Sequence, residues 1–294
     1  MIQKLSYLLL AGITNGSVYG LIGLSLSIIY GSSRVINFAQ GEFVMLGAMS
    51  AILFVAAFSL PWPLALLAVA GVVLVVALGL DHGVYRPLVR RGAKPLTIMM
   101  GTLGAAIIIY GAAFLVWGPE QKFVPAVLSL KPLILGFVIT NPQQLAIIAV
   151  FAAFLLLTWL VLYRTRLGLS IRATGINPRV ATLMGIRSDR IVQFSFMYSA
   201  LVSGLAGILV GPLLGGQIGM GLLLTVKGFM AAILGGLGSP FAAAAGGLAI
   251  GMMESLMAGY GTSLYAEPVI FVLILLVLFV RPYGLLGDYE AERR

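Results

Sequence analysis

The sequence predicts an all-α, polytopic transmembrane helical bundle of about eight or nine membrane segments. Three observations predict it. The 294 residues are 61% hydrophobic and only 9% charged, with a mean hydropathy of +1.09, whereas a soluble domain carries about 25% charged residues. The few charges leave long charge-free stretches at 5–33, 43–80, 95–119, 132–163, 191–226 and 228–253, with a shorter one at 268–280. The basic residues cluster: the stretches 81–95 and 164–190 and the tail from Arg281 hold 13 of the 18 lysines and arginines.

In chain order, Lys4 and the apolar run behind it resemble a signal peptide. The run continues to Tyr30 without a small-x-small cleavage site, which predicts a retained helix over 6–30. The polar stretch "GSSRVINFAQGEF" (31–43) follows and introduces a span at 36–58. The run from Phe43 to Leu80 is too long for one crossing, and "SLPWPL" (59–64) breaks it, because proline interrupts a helix and tryptophan suits an interface. Spans are expected at 63–80, 96–117, 143–163 and 191–212. "GPLLGGQIG" (211–219) and "GGLGSP" (235–240) then divide the chain into spans at 222–237, 241–258 and 267–281. The span at 222–237 is short and holds Lys227, and 31–43 is polar, so either is a candidate for a re-entrant segment. The whole chain, 1–294, is expected to be one transmembrane domain with a cytoplasmic loop at 164–190.

Spans drawn from hydropathy alone place the three basic regions on one side, which the positive-inside rule makes cytoplasmic. The stretch 118–142, with Glu120, Lys122 and Lys131, then lies outside. Nine crossings put the N-terminus outside, although Lys4 argues weakly the other way.

Several function classes are excluded. The chain has no cysteine and one histidine, His82, beside Asp81 at the end of an apolar run, where a loop or interfacial place fits better than a metal or proton relay. No carboxylates pair closely in sequence, and no basic surface interleaved with aromatics suggests nucleic acid. "GLLLTVKG" only echoes a phosphate-binding loop: Val226 and Gly228 stand where a glycine and a hydroxyl residue are needed. The chain is therefore not expected to be an enzyme or to bind a cofactor. An intramembrane transferase would also need metal-binding acids that are missing. The alternative that stays open is a secondary, ion-coupled transporter of a small solute, which needs ionisable groups at mid-membrane, for which Lys227 is the candidate.

Two stripes of small residues, Gly12/Gly16/Gly20 and Ala243/Gly247/Gly251, recur at helical spacing and predict close helix packing. "NFAQGEFVMLGAM" and "VKGFMAAILGGLG" each put a charge at the head of a small-residue helix, a faint internal repeat. In "NFAQGE", near a membrane face, Asn37, Gln40 and Glu42 either line a polar path or settle a loop, with Glu42 pairing to Arg34. Lys227 within a span is costly, so it is expected to be paired or part of a pathway or gate, although near a helix end it can also snorkel.

The basicity of the stretch 164–190 alone fits a positive-inside anchor loop, but its pattern carries more. "RTRLGLSIRATG" predicts a short amphipathic segment ending at Gly175 as its C-cap. "NPRVATLMGI" then starts a second helix, with Asn177 as N-cap and Pro178 at the first position. Val180, Leu183 and Met184 give it an apolar face, and Gly185 ends it. A separately capped helix of this kind suits docking of a soluble partner.

This stretch resembles the cytoplasmic coupling loop of ABC-importer permeases, with an Ala-x-x-x-Gly core at Ala181 and Gly185. "YGLIGLSLSIIYGSSRVINFAQGEFVMLGA", "RPLVRRGAKPLTIMMGTLG", "GLSIRATGINPRVATLMGI" and "GFMAAILGGLGSPFAAAAGGLAIGMMES" are similar, in order, to the Liv-type branched-chain amino acid permeases with their urea and amide relatives. One departure is Gln40, where that family often carries histidine. The resemblance implies a bacterial inner-membrane permease subunit, in contact with membrane lipid, that moves a branched-chain amino acid or similar small polar solute. It implies a second homologous permease, two cytoplasmic ATP-binding subunits that hold the ATP and magnesium, and a periplasmic solute-binding protein. Arg172, Gly175, Asn177, Ala181 and Gly185 would couple to the ATPase.

Overall fold

A computed structural model of the chain describes residues 2–135, 138–261, 263–281 and 284–286. Its helices are α1 (Ile2–Ser33), α2 (Gln40–Ala51, prolonged by wider turns over Ile52–Ala57), α3 (Trp62–Leu80) and α4 (Arg86–Arg90), α3 running into α4 through Asp81–Tyr85. There follow α5 (Pro95–Trp117), a short antiparallel ladder of β1 (Leu133–Leu135) and β2 (Val138–Thr140), and α6 (Pro142–Arg164). The chain continues through α7 (Arg166–Ile176), α8 (Pro178–Leu183), α9 (Ser188–Leu214), α10 (Met220–Gly235), α11 (Pro240–Tyr260) and α12 (Ser263–Val280).

Among the described residues, seven helical stretches are long and apolar enough to cross a membrane: 3–33, 40–57, 62–90, 95–117, 142–164, 188–214 and 240–260. Two shorter apolar helices cover 220–235 and 267–280. Together they account for the segments expected from hydropathy. The second starts at Gln40 rather than residue 36, and the third runs on to Arg90. The tail arginines Arg293 and Arg294 lie outside the described residues.

Local chemistry explains the boundaries. A proline sits in the first turn of α3, α5, α6, α8 and α11, where its fixed φ helps and its missing N–H costs nothing. Asn141 caps α6 and forms a reciprocal capping box with Gln144. Ser239 accepts from Ala242 N at the start of α11. His82 is on the surface, its Nδ1 3.0 Å from the Leu78 carbonyl, in keeping with its expected interfacial place.

The core is built around α1, whose Leu21, Ile22, Leu24 and Ile29 are fully buried. The two predicted small-residue stripes meet each other. A Cβ added at Gly12 would stand 2.8 Å from Met252 Cα, and one at Gly16 2.8 Å from Leu248 Cα. From the other side, Gly247 abuts the Gly20 backbone and Gly251 the Gly16 backbone. Backbone therefore lies on backbone along α1 and α11, the close approach that small residues permit where apolar burial gives little drive. Gly47 meets Gly204 and Gly207 meets Val44 in the same way between α2 and α9.

The basic regions share one end of the bundle. The α7 residue Gly175 abuts Gly31 at the end of α1. Tyr85, beside the 86–94 stretch, packs on Phe196 near the start of α9, with ring centroids 5.3 Å apart. Leu285 and Leu286 donate to the carbonyls of Leu234 and Gly235 at the end of α10. At the opposite end, Lys122 and Gly216 exchange backbone hydrogen bonds, and Gln143 Nε2 donates to Leu209 O.

Gly251→Val should force α11 off α1 and destabilise the protein by about 1–3 kcal/mol or more, the usual range for overpacking. Gly104→Ala, in the interior of α5 and with a Cβ that meets nothing within 4 Å, should not lower stability and should raise it by up to about 1 kcal/mol. Thermal unfolding in detergent measures both, and equal Tm values for the two variants would contradict the backbone-contact account.

Candidate functional site

The first polar cluster is at the start of α2. Asn37 and Gln40 are fully buried, and Glu42 is 3% exposed. Gln40 Nε2 donates to Ser203 Oγ at 2.6 Å and to Ser199 O at 3.1 Å, while its Oε1 accepts from Asn37 Nδ2 at 3.3 Å. Asn37 Oδ1 accepts from Ala39 N at 3.1 Å. The open backbone donors are taken by neighbouring helices: Phe38 N by Thr102 Oγ1 of α5 at 3.1 Å, and Gly41 N by Thr225 Oγ1 of α10 at 2.8 Å. Ser199 in turn donates to Ser25 O of α1 at 2.9 Å.

These bonds fix the depth of the cluster. Ser203 is about 20 Å along α9 from its start, at 1.5 Å per residue. "NFAQGE" therefore lies level with the middle of α9, and its expected place near a membrane face is corrected. The chain leaves α1 at Arg34, turns back through 35–39 and begins α2 inside the bundle. Hydropathy could not show this, because residues 35–39 (Val-Ile-Asn-Phe-Ala) are mostly apolar and carry no local sign of a turn inside the bundle.

The alternative pairing of Glu42 with Arg34 is not formed: among the described residues no ion pair joins them. Arg34, held at φ 56°, donates from Nε to Gly175 O at 2.8 Å and stands over the Tyr30 ring. Glu42 lies against Gly221, where an added Cβ would be 2.7 Å from Glu42 Oε2. That oxygen is buried without a hydrogen-bond partner among the described residues.

The second cluster surrounds Lys227 on α10. Its ammonium is 2.5 Å from Glu254 Oε1 on α11 and 3.1 Å from Glu267 Oε1 on α12. It also donates to the Tyr19 hydroxyl at 3.2 Å and stands 5.1 Å from the centre of that ring. The Lys227 side chain is 13% exposed, Glu254 18% and Glu267 61%. The expected pairing of Lys227 is thus formed. Glu254, Glu267 and Tyr19 were missed by sequence reasoning. The available signal was that Glu254 is a lone charge between two long apolar runs, as Lys227 is.

The third is the basic end. Thr165 caps α7 by accepting from Gly168 N. The helix continues through Gly175 to Ile176, so the expected C-cap role of Gly175 is corrected: Asn177 ends α7. Gly175 is a contact point instead, since a Cβ there would collide with Gly31 O. Asn177 is also the N-cap of α8, as expected, its Oδ1 accepting from Arg179 N at 3.0 Å and Val180 N at 3.2 Å. α8 closes in a Schellman motif: Ile186 N donates to Ala181 O, Gly185 N donates to Thr182 O, and Gly185 has φ +85°.

On α8 the expected apolar face is exposed: Leu183 is 86%, Met184 79% and Val180 53% accessible, joined by Ile176 at 73%. Ala181 is only 4% exposed. It faces its own bundle, which corrects the expectation that it borders a partner. A Cβ at Gly185 would meet nothing, so this glycine serves the turn rather than a tight contact. Arg172 stacks on Tyr163, 5.2 Å from the ring centre. Among the described residues, no group of three or more acidic, histidine or cysteine side chains is placed to hold a metal.

Residues 8–279 match the family described as the permease component of branched-chain amino acid transport systems. The high-affinity branched-chain amino acid transport system permease protein LivH of Escherichia coli (strain K12) is 31% identical over 96% of this chain and 95% of its own length. BraD of Pseudomonas aeruginosa, with the same description, is 33% identical over 97% and 96%. The probable LivH of Methanocaldococcus jannaschii is 29% identical over 93% and 90%. With a family match spanning nearly the whole chain on a bundle of membrane-spanning helices, the chain belongs to this permease family and is a multi-pass permease subunit of an ABC transport system.

Proposed function

We propose that the chain carries a branched-chain amino acid, or a similar small polar solute, across the bacterial inner membrane as half of a permease pair. A second homologous permease completes the path. Two cytoplasmic ATP-binding subunits dock on the basic end, and a periplasmic solute-binding protein delivers solute at the other. ATP and magnesium belong to the partner subunits, since the chain has no phosphate-binding loop.

The observation that carries the docking is α8. Leu183, Met184 and Val180 project from a short helix capped at both ends, at the end of the bundle where the basic residues gather. An apolar face held rigidly in water suits a groove on a soluble partner. Asn177 and Gly185 set the two ends of the helix, Ala181 seats its inner side, and Arg172 on α7 stacks on Tyr163 of α6.

The same geometry supplies a route for the motion. α7 joins α8 to the bundle and touches α1 where Gly175 meets Gly31, and Arg34 holds the Gly175 carbonyl. Residues 35–39 lead from Arg34 directly into the Asn37–Gln40 knot and Glu42. A push on α8 therefore reaches the interrupted start of α2, where polar groups of α1, α5, α9 and α10 converge. In this reading Asn37, Gln40 and Glu42 border the solute path, which opens when α2 and α10 part at Gly41 and Gly221.

Leu183→Asp should leave the permease folded and inserted while reducing ATPase recruitment about tenfold to a hundredfold, the loss expected from withdrawing one buried leucine from an interface. Co-purification of ATPase subunits at matched membrane levels measures it, and normal recruitment with normal ATP-driven uptake would refute the docking role.

The absence of cysteine makes topology directly testable. Ser129→Cys in intact cells should react with an impermeant maleimide, whereas Leu183→Cys should react only after the membrane is opened. The reverse pattern would overturn the assigned orientation.

The purified chain, free of partner subunits, should show no ATP hydrolysis above background, and robust hydrolysis would contradict the division of labour.

A further inference from the structure

A small, partly open cavity lies between α10, α11 and α12, and its wall combines Lys227, Glu254 and Glu267 with the apolar side chains of Leu223, Ile250 and Ile270. One ammonium here faces two carboxylates, so the cluster holds an excess negative charge. Glu254 Oε2 is buried without a hydrogen-bond partner among the described residues. The Glu267 side chain is 61% exposed, although it heads an apolar helix. A carboxylate at such a position is costly against lipid and is expected to face water or a polar group. The cavity is therefore both charged and greasy.

We propose that this cavity binds the charged ends of a zwitterionic amino acid on its way through the permease. Glu254 and Glu267 accept hydrogen bonds from the solute ammonium, Lys227 donates to the solute carboxylate, and Leu223, Ile250 and Ile270 cover its aliphatic side chain. The inference rests on the amino-acid reading given above. The exchange preserves charge pairing at each stage. The Lys227 donors now go to Glu254, Glu267 and the Tyr19 hydroxyl. As a zwitterion enters, its ammonium replaces that of Lys227 on the carboxylates, and its carboxylate takes up the released donors. No ion is stranded in a low-dielectric wall, which is the condition for solute both to bind and to leave.

The alternative is a clamp, in which Lys227 merely pins α10, α11 and α12 together. Two variants separate the two. Glu267→Gln changes one exposed atom set, and the exchanged pair Lys227→Glu with Glu254→Lys keeps an ion pair while reversing its direction. The complete importer, with its second permease, ATPase subunits and binding protein, is reconstituted in proteoliposomes, and ATP-driven uptake of labelled L-leucine is followed alongside Tm and subunit retention.

The wild type should import L-leucine. Both variants should keep wild-type assembly and lose uptake about tenfold or more, the effect of removing or misplacing one charge-assisted hydrogen bond. Wild-type uptake by the exchanged pair would establish the clamp and overturn the site. Where that pair does not assemble, Glu267→Gln decides alone, and its uptake at the wild-type rate overturns the site. A wild-type importer that takes up no amino acid with ATP would overturn the amino-acid reading itself, an outcome seen before any variant is made.

Discussion

Contact of backbone on backbone between α1 and α11 is the constraint on which the other features depend. Lipid tails are as apolar as leucine, so helices in a membrane gain little by burying leucine against leucine. They gain by close dispersion contact, and glycine removes the side chain that would hold them apart. With Gly16 and Gly20 facing Gly251 and Gly247, α1 becomes a buried axis. α10 can then reach both partners, so that one lysine bonds Tyr19 of α1 and Glu254 of α11. Separating α1 from α11 by the width of a side chain would break that arrangement.

The same close packing makes room for an interrupted helix. A chain that turns back inside a bundle exposes backbone donors that must be satisfied there, because no lipid group can do so. Thr102 and Thr225 accept from the backbone N–H groups of Phe38 and Gly41, while Ser199 and Ser203 accept from the Gln40 side-chain amide. The polar knot is thus held by α5, α9 and α10 at once, and it stands one short segment away from Arg34. That arginine grips the Gly175 carbonyl at the bundle's basic end, so the water-facing helices and the interior break form a continuous mechanical connection.

Much of this was legible in the sequence. Charge-free runs located the spans, because a helix in lipid tolerates few charges. Proline, asparagine and glycine marked the helix ends, and the Asn177 and Gly185 boundaries of α8 followed from local backbone chemistry. The two small-residue stripes were visible, and packing was their expected role, although nothing local said that they faced each other. What was hidden depends on distant partners. Gln40 meets Ser199 and Ser203 far along the chain, so its depth has no local signature. Lys227 and Glu254 stand on different helices, and their pairing required the fold. Ala181 looked like a contact residue because its spacing to Gly185 was known, but which side of a short helix faces inward is decided by the elements beneath it. Gly175 looked like a helix end because glycine usually marks one; here it is small because α1 passes beside it.

The central claim is that force applied at α8 reaches the break before α2 while the α1–α11 seam stays closed. Hydrogen exchange of the assembled importer, compared without nucleotide and with its ATPase subunits trapped in the ATP-bound state, tests it most directly. The account predicts that amides of residues 34–42 change their protection between the two states and that those of α1 and α11 along the glycine seam do not. Unchanged protection at 34–42 in an importer that transports actively would contradict it.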